Sequence, residues 1–210
     1  MRSSTPAHPT AAGIMTDIAA PRTSSHEEEN TSFKAWWILS ILFLLLSFSF
    51  IDRYIISMLV PDIQKTFQLS DSQIGLLLGP AFVVSYSLFG IPLGWAADRY
   101  SRRWIIFLGA LTFGLATAAS ALASSFIVLV IARVMVGLGE ASLAPAAYSL
   151  MSDTFPRKRL GTASAIFLTA TKTGTSAAFF LGGLIIGLAA SWQISGLHGQ
   201  PIEPWRLVFL

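Results

Sequence analysis

Residues 94–103 read GWAADRYSRR and lie at the junction of two apolar stretches, Ile74–Ala96 and Trp104–Ala123. Each stretch has about 20 residues, enough to cross the roughly 30 Å hydrocarbon core of a bilayer. Arginines alone would mark such a junction as a cytoplasmic loop, because Lys and Arg concentrate on that side of a membrane. The pattern G-x-x-x-D-R-x-x-R-R, however, also sets Gly94 and Asp98 at fixed offsets from those arginines. The segment therefore indicates a membrane protein with a specific loop motif.

The composition supports an integral membrane protein. The chain has 210 residues, of which 53% are hydrophobic and 12% charged, and its mean hydropathy is +0.64. Soluble domains carry about a quarter charged residues. The net charge of +3 is too small to indicate a nucleic-acid partner, and the absence of Cys excludes disulfides and thiol nucleophiles.

Apolar runs predict an all-α bundle of five complete transmembrane helices and the start of a sixth. Residues 1–34, rich in Ser, Thr, Pro and Ala, predict a disordered tail, and residues 35–210 form the helical part. A membrane helix that stopped after one turn would leave backbone groups unsatisfied in lipid, so we expect the sequence to be a fragment. The predicted spans are Ala35–Val60, Ile74–Ala96, Trp104–Ala123, Phe126–Met151 and Ala163–Ala190, followed by Pro204–Leu210.

The basic residues predict the orientation. Two of the predicted loops each carry three basic residues, whereas the loops on the other side carry about two in total. The amino terminus is therefore expected on the cytoplasmic side, in a plasma (inner) membrane. The basic residues concerned are Arg99, Arg102 and Arg103 in the second loop and Arg157, Lys158 and Arg159 in the fourth.

Ionisable residues inside the spans are the candidate substrate and ion-coupling residues. An unpaired charge at such a depth costs roughly 2.5–3.5 kcal/mol on insertion scales. A functional site that faces a cavity or a partner helix is therefore expected, and fixed salt bridges without a functional role are the alternative. One of the residues, the lysine, lies about ten residues into the fifth span and either contacts a cavity or snorkels to the interface. The five residues are Asp52, Arg53, Arg133, Glu140 and Lys172.

Depth along the helices predicts how four of these residues pair. Asp52 lies 17 residues into the first span, about 26 Å from the cytoplasmic end at 1.5 Å per residue. Arg133 lies seven residues into the fourth span, about 10 Å below the outer surface. These depths agree, so we expect a contact Asp52–Arg133 or Arg53–Glu140. The spacing of seven places Arg133 and Glu140 on one helix face.

Three glycine pairs have the small-xxx-small spacing that permits close helix contact. They are Gly75/Gly79, Gly90/Gly94 and Gly183/Gly187.

The loop motif resembles the signature loop of the major facilitator superfamily in its residues, its loop number and its side of the membrane. The run Arg133-x-x-x-Gly137-x-Gly139-Glu140 resembles a second motif of that family. The stretches 50–54 (FIDRY), 69–71 (LSD) and 139–141 (GEA) are similar to the Spinster-like branch, proposed transporters of lysophospholipids and sphingolipid-like molecules.

This resemblance implies the amino-terminal half of a twelve-helix fold made of two six-helix halves. It further implies alternating access, with the loop acting as a conformational latch on the missing carboxy-terminal half. Asp98 would cap a helix of that half, and Arg99 and Arg103 would hold it by charge-assisted bonds. The complete set of latch residues is Gly94, Asp98, Arg99, Arg102 and Arg103.

The expected function is proton-coupled secondary active transport of a lysophospholipid or similar amphipathic substrate. One alternative is an organic-anion or sugar-acid symporter that uses Arg53, Arg133 and Lys172 as anion contacts, and another is a fragment that does not transport. An enzyme is not expected, because the three histidines lie outside the spans and no HExxH or GxSxG motif occurs. No cofactor or metal is expected.

Overall fold

The computed structural model describes residues 33–191 and 203–209. Within them every regular element is an α-helix, so the predicted all-α membrane bundle is confirmed. Most of the predicted tail, the loop before Pro204 and Leu210 lie outside the described residues, so the domain division stays a prediction. The helices are α1 (Phe33–Met58), α2 (Val60–Phe67), α3 (Asp71–Leu78), α4 (Pro80–Arg99), α5 (Arg102–Ala121), α6 (Phe126–Ala141), α7 (Leu143–Thr154), α8 (Arg157–Ser191) and α9 (Pro204–Val208).

Four helical stretches among the described residues are long and apolar enough to cross a membrane: 33–58, 71–99, 102–121 and 126–154. They correspond to the first four predicted spans. Two of them are interrupted near a proline, at Gly79 before Pro80 and at Ser142 before Pro145, because proline lacks the N–H that a continuous helix needs. The fifth predicted span lies within the 35-residue helix α8.

The fourth predicted loop is shorter than expected, because α8 begins at Arg157 rather than at Ala163. The backbone N–H groups of Arg159 and Leu160 donate to the carbonyl of Pro156 at 2.8 and 3.0 Å. The basic residues 157–159 therefore form the first turn of a helix and not a loop. Polar residues can continue a helix beyond the bilayer, where hydropathy no longer marks its end.

Close helix contacts occur at glycines other than those in the three predicted pairs. A Cβ atom at Gly139 of α6 would lie 2.6 Å from the backbone nitrogen of Phe113 and 2.7 Å from the carbonyl oxygen of Gly109, both on α5. A Cβ at Gly174 of α8 would lie 2.4 Å from the carbonyl oxygen of Ser47 on α1. These contacts bring α5 onto α6 and α8 onto α1.

The predicted glycine pairs do not mark close contacts. A Cβ at Gly75, Gly90, Gly183 or Gly187 would meet no atom of the described residues within 4 Å. Spacing alone therefore did not identify the packed helix faces.

Candidate functional site

The site is built on two adjacent residues of α1 that face different neighbours. Successive residues of a helix are rotated by about 100°, so Asp52 and Arg53 point to different sides. Asp52 pairs with Arg133 of α6, and Arg53 pairs with Glu140, two turns further along the same face of α6. The two contacts were expected as alternatives, and the structure contains both.

The Asp52–Arg133 pair is buried and held by two hydrogen bonds. The guanidinium of Arg133 donates to Oδ2 of Asp52 at 2.7 Å and to Oδ1 at 3.3 Å. The hydroxyl of Thr117 on α5 donates to Oδ1 at 2.8 Å. The ring of Phe209 lies 5.5 Å from the guanidinium carbon of Arg133. The pair thus joins α1, α5 and α6 to the residue that follows α9.

The Arg53–Glu140 pair has a different environment, because it lies at the wall of a cavity. The guanidinium of Arg53 donates to Oε2 of Glu140 at 2.6 Å. The Glu140 side chain is 1% exposed, whereas that of Arg53 is 33% exposed. The other carboxylate oxygen, Oε1, is buried and accepts no hydrogen bond from the residues that the structure describes. Glu140 therefore keeps one acceptor position for a proton or a donor group.

This space, which we call the Glu140 cavity, has a volume of about 170 Å³ and is lined by residues of α1, α4, α6, α7 and α8. Its wall combines the ion pair with hydroxyl groups and aromatic rings. The hydroxyl-bearing residues are Ser49, Tyr86, Tyr148 and Thr171.

Sequence reasoning did not single out Ser49, Tyr148 or Thr171. Each is a common residue in an apolar helix, and only the packing of α1, α7 and α8 brings the three to one cavity. Lys172 follows Thr171 on α8 and is exposed, but it does not line the Glu140 cavity. Its role stays a prediction.

The loop motif lies at the ends of α4 and α5. Asp98, Arg99 and Arg103 are exposed, and the guanidinium carbon of Arg99 lies 4.5 Å from the centre of the Trp95 ring. At Gly94 an added Cβ would make only ordinary contact with α7, at 3.9 Å.

Arg102 differs from the other residues of the motif, because its partner belongs to this same bundle. Its guanidinium forms an ion pair with the carboxylate of Asp153 near the end of α7. This ion pair links α5 to α7, and the role of Arg102 in the latch stays a prediction.

Comparison with known proteins identifies a family and several relatives. A family model described as Major Facilitator Superfamily matches residues 42–210. Protein spinster homolog 1 of Xenopus laevis is 33% identical over 136 residues, which cover 64% of this chain and 26% of that protein. The hexuronate transporter of Bacillus subtilis (strain 168) is also 33% identical, over 135 residues that cover 63% of this chain and 31% of that protein.

A solved structure is similar in fold as well. It is the crystal structure of a bacterial homolog to the human lysosomal transporter Spinster, in an inward-facing and occupied conformation. The TM-score is 0.78 with 37% identity, and the match covers 83% of this chain and 40% of that one. The resemblance to the Spinster-like branch is thus confirmed. The chain spans about a third or less of the length of these curated relatives.

Proposed function

The chain belongs to the major facilitator superfamily, and from that premise we propose that it is the amino-terminal half of a proton-coupled secondary transporter. The proposed substrate is a lysophospholipid or a similar amphipathic molecule with an anionic headgroup. The similarity to Spinster proteins supports this class. We also propose a plasma-membrane location with a cytoplasmic amino terminus, since the basic residues concentrate at one end of the spans.

The observation that carries the proposal is the Arg53–Glu140 pair at the cavity wall. A proton on Oε1 of Glu140 would neutralise the carboxylate and weaken its attraction for Arg53. The partly exposed guanidinium then becomes available to a phosphate or carboxylate group of the substrate, which it can bind through two hydrogen bonds. Uptake of a proton and of an anion at one site would thereby favour each other.

Uptake by the full-length protein in proteoliposomes tests this coupling. A labelled lysophospholipid is supplied with and without an imposed pH gradient, and the wild-type protein is expected to respond to the gradient. In Glu140→Gln the group that takes up the proton is missing, so uptake is expected to become independent of the gradient. Asp62→Asn, in α2 and outside the Glu140 cavity, is the matched control. A Glu140→Gln variant with the wild-type pH profile would exclude Glu140 as the proton carrier.

A second candidate function, transport of an organic anion or sugar acid, is favoured by the similarity to the hexuronate transporter. Arg53 would then contact the substrate carboxylate. Competition separates the two candidates: excess hexuronate should block uptake of labelled substrate by a sugar-acid carrier, and excess lysophospholipid should block it in a lysolipid carrier. The competitor that lowers uptake identifies the class of substrate.

A further inference from the structure

Three aromatic rings surround the guanidinium of Arg53. Its central carbon lies 4.4 Å from the ring centre of Phe82, 4.9 Å from that of Phe50 and 5.6 Å from that of Tyr86. All three distances fall within the roughly 6 Å over which a cation is attracted to the face of a ring. Arg53 therefore has a second set of partners besides the carboxylate of Glu140.

The two rings on α4 are held in place by packing against neighbouring helices. Phe82 and Tyr86 are stacked on each other, with ring centres 5.6 Å apart and planes at 26°. Phe82 is buried against Ala116 of α5 and Val136 of α6, and Tyr86 packs on the same cluster. Because both rings rest on these helices, their faces stay beside Arg53 independently of its side-chain conformation.

The helix that carries Glu140 also sets the distance to these rings. At Gly137, one turn before Glu140 on α6, an added Cβ would lie 2.2 Å from the Ser85 hydroxyl and 2.7 Å from the Phe82 carbonyl oxygen. Only glycine permits α4 to approach α6 this closely. The same helix therefore provides the carboxylate partner of Arg53 and the place where the aromatic partners dock.

We propose that Phe82, with Phe50 and Tyr86, is a positioning residue that holds the Arg53 guanidinium at the wall of the Glu140 cavity when Glu140 is neutral. Without these rings, protonation of Glu140 would let the long Arg53 side chain leave the site. With these rings, the Arg53 guanidinium stays in place and forms a preformed binding site for an anionic group. The consequence for transport rests on the proposed function, whereas the contact itself can be tested without a substrate.

The other groups near Arg53 do not replace this contact. The titratable residues that line the cavity are Glu140 of α6, Tyr86 of α4 and Tyr148 of α7. Asp52, its neighbour on α1, is bound to Arg133. Within the described residues of the cavity wall, α8 contributes no titratable side chain.

The substrate-free test is a double-mutant cycle of thermal unfolding in detergent. Phe82→Leu and Arg53→Gln are made singly and together in a Glu140→Gln background, where the ion pair is absent. The proposal expects the two changes to be non-additive by about 2–4 °C in Tm, the range that a cation–π contact implies. Additive shifts would overturn it. Phe89→Leu, a phenylalanine of α4 that is not among the rings in contact with Arg53, is the control expected to be additive with Arg53→Gln. If Phe82→Leu does not fold, Tyr86→Leu replaces it in the cycle.

The transport test compares an anionic with an uncharged substrate in the full-length protein. For lysophosphatidic acid, Phe82→Leu is expected to raise KM about 3- to 10-fold with kcat unchanged, and Phe82→Tyr to restore it. The KM for monoacylglycerol should not change, because it has no group for Arg53. Equal changes for both substrates would indicate a merely structural role and overturn the proposal. If the wild-type protein transports neither, the proposed function fails, and the unfolding cycle still decides whether the rings hold Arg53.

Discussion

At the scale of single residues, the two ion pairs lie in different environments, although the two α1 residues that form them are adjacent in sequence. Asp52 and Arg133 are buried and joined by two hydrogen bonds, whereas Arg53 faces a cavity and Glu140 has one oxygen without a hydrogen bond from the described residues. A proton can reach Glu140 without breaking a bidentate contact. Protonating Asp52 would require the loss of one.

A pair of variants tests whether the Asp52–Arg133 ion pair takes part in coupling uptake to the pH gradient. Asp52→Ala leaves the Arg133 charge buried without a partner, so we expect a loss of about 3–5 kcal/mol in stability, measured by thermal unfolding. The double variant Asp52→Leu, Arg133→Met removes both charges and should recover most of that stability. If the pair takes part in coupling, the double variant folds but loses the response of uptake to a pH gradient. A double variant with the wild-type response would reduce the pair to a structural contact.

The depth calculation matched Asp52 with Arg133, because the rise of a helix is constant and residues at equal depth on neighbouring spans can be paired. It did not match Arg53 with Glu140, which lies two turns beyond Arg133 on α6. The aromatic surroundings of Arg53 could not be predicted in this way. They depend on the distance between α4 and α6, which the contact at Gly137 sets. Tyr148 and Thr171 were missed for the same reason, since α7 and α8 reach the cavity only through tertiary packing.

At the scale of the helices, hydropathy located the spans but not their ends or interruptions. The first turn of α8 is basic, and the sequence therefore resembled a loop there. The interruption at Ser142 lies within an apolar run, where hydropathy carries no signal. Close helix contacts depend on which face of a helix a glycine occupies, which the spacing of Gly90 and Gly94 did not indicate.

The contact of α5 with α6 gives a prediction with a matched control. Gly139→Ala would place a Cβ against backbone atoms of Phe113 and Gly109, which cannot move without shifting the helix. We expect a loss of about 1–3 kcal/mol, seen as a lower Tm in detergent. Gly114→Ala on α5 meets nothing within 4 Å and should keep or slightly raise the Tm, because alanine favours helix. Equal Tm values for the two variants would contradict the packing described here.

At the scale of the whole molecule, the proposed transport cycle requires more than the described bundle. The curated relatives are about three times as long as the matched region, and alternating access requires two halves that move against each other. Residues 1–210 produced by themselves are therefore expected to give no uptake above that of empty liposomes. Uptake of labelled lysophospholipid by this polypeptide alone would show that copies of it can complete the path.

The loop motif is the feature through which the two halves are proposed to interact. Asp98 is exposed, and its carboxylate could stabilise the amino-terminal end of a helix in the other half. Because that contact would form only when the cytoplasmic side is closed, Asp98→Asn in the full-length protein should shift the population towards the inward-facing state and lower uptake. Labelling of single cysteines placed on the two faces measures the shift.

Asp153→Asn is the matched control for Asp98→Asn. It removes the ion pair with Arg102, which lies within this bundle and is therefore expected to persist in both conformations. Exposed pairs of this kind contribute at most about 1 kcal/mol, so the variant should leave the balance between states close to that of the wild type. If Asp98→Asn also leaves the labelling pattern and the turnover unchanged, Asp98 is not a latch. Arg99 and Arg103 would then serve to orient the chain in the membrane, and Arg102 to link α5 to α7.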